Sequence, residues 1–189
     1  MKTMKRKQKQ VLHIVTFLLI VIVGFGQENS KPDFLKELQF LEGEWSLENF
    51  ETKDQKTWNS IGNSIAHVTL EHDGKFIQEK VKYITGFGEI NMITYIGFDY
   101  RLGKLKLCAM DKEYGSMDIY EGDKVGDDFV FTNLKSDLAI AMQDGKKLNF
   151  KLTYATISDT GFEHWVEGTY DGGETWFPFS KSVYTKSKG

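Results

Sequence analysis

Glu79 stands in the run Ile77-Gln78-Glu79-Lys80-Val81-Lys82-Tyr83, two residues from an apolar side chain on either side. In an extended chain alternate side chains share a face, so this carboxylate keeps company with Ile77, Val81 and Tyr83. A carboxylate in such surroundings must find a donor or keep its proton to higher pH, which makes Glu79 the first candidate for chemistry inside a pocket. A strand end that lets it reach water is the plainer reading. His164, between Phe162 and Val166 on the same alternation, is the second candidate, and the two could serve as acid and base towards one small substrate. Tyr83 and Tyr154 offer hydroxyls that could orient a ligand, and Trp45 offers an indole that could close the base of a pocket. Trp45, Glu79, Tyr83, Tyr154 and His164 are thus the expected ligand-contacting set, and no residue is assigned a catalytic role.

Other chemistries lack their residues. His67 and His72 are five apart and so point to opposite faces of a strand, and no His or Cys cluster has metal-ligand spacing. No Ser, His and Asp order, phosphate-cradling glycine loop or Cys-x-x-Cys occurs, so no metal and no cofactor is expected. Cys108 is the single cysteine, which excludes an intramolecular disulfide and reads as a small buried hydrophobe.

The first ten residues carry Lys2, Lys5, Arg6, Lys7 and Lys9 without an acid, followed by an apolar run from Val11 to Phe25 and a small-x-small site at Gly24-Phe25-Gly26. This is the pattern of a secretory signal peptide over residues 1–26. The run is shorter than the roughly 20 residues a spanning helix needs, so no stable membrane anchor is expected after cleavage. Export to the periplasm or outside the cell follows. Five of the chain's 24 Lys and Arg lie in the leader, leaving 19 against 27 Asp and Glu, a formal net charge of −8 over residues 27–189. That sign argues against nucleic acid or anionic lipid as a partner. The remaining 163 residues suit one domain with a sizeable core. The sequence leaves oligomeric state open.

The elements that must position these residues are read from period and punctuation. Ser30-Lys31-Pro32-Asp33-Phe34-Leu35-Lys36-Glu37-Leu38-Gln39-Phe40-Leu41 has helical spacing of apolar residues and a proline where a helix can begin, which predicts a short N-terminal helix lidding one end of the domain. From Gly43-Glu44-Trp45 onward the period is two, with strands expected near 44–51, 63–71, 75–85, 89–99, 104–110, 115–121, 127–133, 147–157, 162–170 and 175–185. About ten strands without an intervening long helix predict an all-β, up-and-down antiparallel barrel, because closure removes exposed edges. The Asp73-Gly74 turn pairs Leu70 with Ile77, Val68 with Glu79, Ala66 with Val81 and Ser64 with Tyr83. The Gly172-Gly173 turn pairs Gly168 with Phe177, Val166 with Phe179, His164 with Lys181 and Phe162 with Val183. The pattern leaves open which face of each hairpin points inward.

Several of these segments together resemble a family of secreted bacterial proteins of unknown function with a lipocalin-like barrel. They are the helix followed by Leu-Glu-Gly-Glu-Trp, Asp73-Gly74-Lys75-Phe76-Ile77-Gln78-Glu79, Gly97-Phe98-Asp99-Tyr100-Arg101-Leu102-Gly103-Lys104 and Asp171-Gly172-Gly173-Glu174-Thr175-Trp176. The resemblance spans nearly the whole mature chain and implies a calycin-type fold, often with export, and no established reaction. It also implies a basic residue from the last strand over the Gly-x-Trp indole, with Lys181 and Lys186 as candidates. The nitrobindin branch of this barrel class binds haem through a histidine, a role His164 would take. Thr169 to Trp176 looks like the Asp-box of sialidase propellers, but a single copy reads as a hairpin stabiliser. The expected function is binding of a small hydrophobic or amphipathic molecule in the barrel. The alternatives are a small-molecule enzyme using Glu79 and His164 for proton transfer, and a protein-binding module using Trp165 and Trp176 on the outer face.

Overall fold

The computed structural model describes residues 34–187; the leader 1–26 and the start of the expected helix lie outside the described residues. Helix α1 (Phe34–Glu37) runs into a 3-10 turn, Gln39–Leu41, and then eleven strands follow. These are β1 (Gly43–Glu51), β2 (Asn59–Glu71), β3 (Phe76–Thr85), β4 (Gly88–Asp99), β5 (Lys104–Asp111) and β6 (Met117–Val125). The second half holds β7 (Asp128–Thr132), β8 (Ile140–Ala141), β9 (Lys147–Ala155), β10 (Gly161–Thr169) and β11 (Phe177–Lys186). Every pairing is antiparallel, and β9 bonds to β10 as well as β7 while β11 returns to β1, so ten strands close an up-and-down barrel. The two-residue β8 only flanks β9.

Alternation explains the core. Trp45 and Leu47, Ala66 and Val68, Ile77 and Val81, Leu105 and Leu107, and Phe129 and Phe131 all point inward and are buried, while Ile65 and Phe76 lie outside. One end is plugged. Leu35, Leu38 and Leu41 join Trp45 in the core cluster, and the Trp45 indole N–H donates to the Leu41 carbonyl at 2.7 Å. The lid spans this end, because Glu37 pairs with Lys124 on β6 and the Gln39 side chain lies against Gly74 in the β2–β3 turn. Lys186 from the last strand holds its ammonium 5.3 Å from the Trp45 ring centre, while Lys181 sits elsewhere, 4.8 Å from the Trp165 ring centre. Towards the other end the inward residues Tyr83, Met92, Phe150 and Val166 are only partly buried.

The Asp73-Gly74 hairpin has the expected register at Leu70↔Ile77, Val68↔Glu79 and Ala66↔Val81, with positive φ at both turn residues. The second hairpin differs. Gly168 faces Phe177, but a bulge between Val166 and Glu167 shifts the rest by one residue, so Val166 faces Ser180, His164 faces Ser182 and Phe162 faces Tyr184. Phe179, Lys181 and Val183 therefore do not share the face of His164. Strand β6 also runs to Val125 rather than ending near residue 121. Gly122 is not a turn residue: a Cβ there would lie 2.2 Å from the Phe131 ring, so glycine lets the core ring cross the strand. The turn falls at Gly126, where φ is 65°. Cys108 is half-buried, and both burial and Asp118 push its thiol pKa up, which disfavours the thiolate. Asp171 accepts from Thr169 Oγ1 at 2.6 Å and from the Thr175 amide at 3.0 Å, the hairpin-stabilising geometry expected of this segment.

Candidate functional site

Four of the five expected residues converge inside the barrel. Glu79 comes from β3, buried between Val68 and Thr94 on the flanking strands; Tyr83 follows two pleat repeats later, beyond Val81; Tyr154 comes from β9 and His164 from β10. A fifth residue, Tyr184 on β11, joins them. It donates to Glu79 Oε1 at 2.8 Å, its hydroxyl lies 2.8 Å from that of Tyr83, and the Tyr83 hydroxyl lies 3.3 Å from His164 Nδ1. Tyr154 flanks the imidazole with ring centres 4.8 Å apart, and Tyr83 stacks on it at 5.9 Å. Trp45 stands below, edge-on to Phe162 and Tyr184 at 5.0 and 6.4 Å, and so supports the group from the plugged end.

Sequence reasoning missed Tyr184, since an uninterrupted alternation from the Gly172-Gly173 turn puts Val183, not Tyr184, on the face of His164. The signal was Pro178: a proline cannot donate to a ladder and within a strand marks an edge or bulge. The extra residue beside it, Phe179, brings Ser180, Ser182 and Tyr184 onto the face of His164.

Burial sets the electrostatics. Desolvation pushes the Glu79 carboxyl up to about 7, opposed by the Tyr184 hydroxyl, and it pushes the Tyr83, Tyr154 and Tyr184 phenols well above their ordinary range. The same cause holds His164 down to about 4, so the ring is neutral near pH 7. No lysine or arginine is among the buried described residues to offset Glu79. Close by, Asn49 is fully used: it donates to Ser64 Oγ at 2.9 Å and the Gly62 carbonyl at 3.2 Å and accepts from Ser182 at 2.9 Å. His164 is not. Its Nε2 is buried without a partner, and among the described residues it is the one such side-chain atom. An unmade hydrogen bond of this kind costs about 1–3 kcal/mol.

Other expected features sit apart from this group. Nε2 is closed off from solvent and flanked by Tyr83 and Tyr154, a setting that does not fit a porphyrin on His164. His67 pairs with Glu44 on the outer surface, and His72 lies on Phe76. Among the described residues no three His, Cys, Asp or Glu side chains converge on a metal position. On the outer wall Trp165 is edge-on to Trp58 and covered by Lys181, and Trp176 is covered by Lys151 at 4.9 Å, so these indoles are half-buried rather than open apolar surface. No protein-family model matches the chain, and no curated protein matches it closely enough to mark a relative.

Proposed function

We propose that the protein is an exported, lipocalin-like barrel that holds a small hydrophobic or amphipathic molecule. The observation that carries this reading is the buried chain Glu79, Tyr184, Tyr83 and His164, which ends on an imidazole nitrogen with no partner. Natural interiors pair their polar groups, and an exception points to something that completes it. The surroundings suit a ligand of mixed character: Met92, Phe150 and Val166 supply partly buried apolar wall above the relay, and the plugged base confines the molecule to the opposite end. The leader supports export, with residues 27–189 as the mature chain. The test is native mass spectrometry of protein recovered from the periplasm of a Gram-negative host. The denatured mass should be that of residues 27–189, and the native mass should exceed it by one discrete small molecule, or acquire one after soaking with lipophilic probes. A native mass equal to the denatured mass under both conditions refutes binding.

One observation favours a second reading, proton transfer on a bound substrate. The relay links a carboxyl that titrates near neutrality to a neutral histidine, the pairing an acid and base need. Under this reading Glu79→Gln and His164→Phe variants retain a bound species whose mass differs from that in the wild type, because turnover stops before product forms. Identical bound masses in all three proteins leave binding alone.

A further inference from the structure

The direction of each hydrogen bond in the buried relay follows from counting protons. When Glu79 is ionised it can only accept, so the Tyr184 hydroxyl proton lies on the bond to Oε1. Tyr184 then has no proton left for Tyr83, and the Tyr83 hydroxyl must donate to the Tyr184 oxygen. With its own proton committed, Tyr83 can only accept from the imidazole, which places the His164 proton on Nδ1. The opposite tautomer would leave the contact between Tyr184 and Glu79 with no proton between two oxygens 2.8 Å apart. While Glu79 is ionised, Nε2, the atom without a partner, is therefore a bare lone pair.

Resting on the binding reading above, we infer that the ligand this barrel takes presents a hydrogen-bond donor at its polar end, as an alcohol or amide N–H does, and is not a carboxylate. Two features of the interior act in the same direction. The lone pair of Nε2 repels an acceptor, and above about pH 7, where Glu79 is ionised, it is a buried carboxylate with no buried cation to offset it, so a second anion would enter an uncompensated negative field. The groups facing Glu79 and His164 are Tyr83 from β3, Tyr154 from β9 and Tyr184 from β11, all neutral phenols, with Thr94 on β4 beside the carboxylate. None can neutralise an incoming acid. Since Nε2 is closed off in this structure, the donor must displace packed atoms to reach it, which favours a head group of one or two heavy atoms. The apolar remainder lies along Val166, two residues from His164 on the same face, and along Met92 and Phe150.

The tautomer is read directly on the wild-type mature protein at pH 8 from long-range 15N–1H correlations of the His164 ring. Protonated Nδ1 and bare Nε2 are expected, and a proton on Nε2 overturns the relay and the inference with it. The ligand class is read by calorimetric titration with 1-decanol, methyl decanoate and sodium decanoate, which share a chain and differ in their heads. We expect 1-decanol to bind at least about tenfold more tightly than either of the others. In the His164→Phe variant the margin between 1-decanol and methyl decanoate should vanish, and a margin that persists overturns the inference. Equal affinity for the alcohol and the ester, or tightest binding of decanoate, overturns the inference and leaves the binding reading standing. Failure of all three to bind, with no co-purifying molecule, removes both.

Discussion

Glu79 and His164 are buried together with opposite consequences for the pH dependence of stability. Glu79 ordinarily titrates at 4.5, and in the fold at about 7. Between these values the native state holds a proton that the unfolded chain has released, so stability falls as pH rises through the interval. At about 1.36 kcal/mol per pH unit the loss is about 3 kcal/mol. His164 ordinarily titrates at 6.5, and in the fold at about 4. Between these values the unfolded chain holds the extra proton, so stability rises with pH, again by about 3 kcal/mol. The two slopes oppose each other across the shared interval and cancel in the wild type. Each single variant should expose the other group. Relative to wild type, Glu79→Gln should gain about 3 kcal/mol between pH 4.5 and 7, and His164→Phe should lose about as much between pH 4 and 6.5. Urea unfolding followed by tryptophan fluorescence across pH 4 to 8 measures both. Surface carboxylates such as Asp54 and Asp171, whose pKa values their hydrogen bonds hold low, are common to all three proteins and cancel in the differences. A variant-minus-wild-type difference that stays flat with pH would refute the burial of ionisable groups on which the site depends.

Two further outcomes test the frame that holds the site. Trp45→Phe removes the 2.7 Å bond to the Leu41 carbonyl and part of the packing on Phe162, and should cost about 2–3 kcal/mol in urea unfolding at pH 7; a loss below about 0.5 kcal/mol would mean that the indole does not hold the lid. Gly122→Ala places a methyl against the Phe131 ring and should cost about 1–3 kcal/mol, and adding Phe131→Leu should cost less than the sum of the separate changes; strict additivity would show that the two positions do not touch.

Period-two alternation was enough to place all ten barrel strands, because the side-chain period of a strand is local and each run of alternating residues reports its own burial. The same holds for the Asp73-Gly74 hairpin, whose turn chemistry fixes its register without outside help. The gathering of Glu79, Tyr83, Tyr154 and His164 was legible only as four polar groups on mainly apolar faces, since sequence spacing carries no information about which strands meet across a barrel. Tyr184 was decided by the bulge at Phe179. A one-residue slip turns every later side chain to the other face, and the slip forms where Pro178 offers no amide to the ladder. The length of β6 past residue 121 was not legible, because only packing against Phe131, nine residues away, gives the strand glycine Gly122 its reason. The sequence by itself thus determined the strands and the plugged base. Tertiary structure decided the register of β10 on β11, and with it the relay, because hydrogen bonds between residues 81 to 105 positions apart exist only once the barrel has closed.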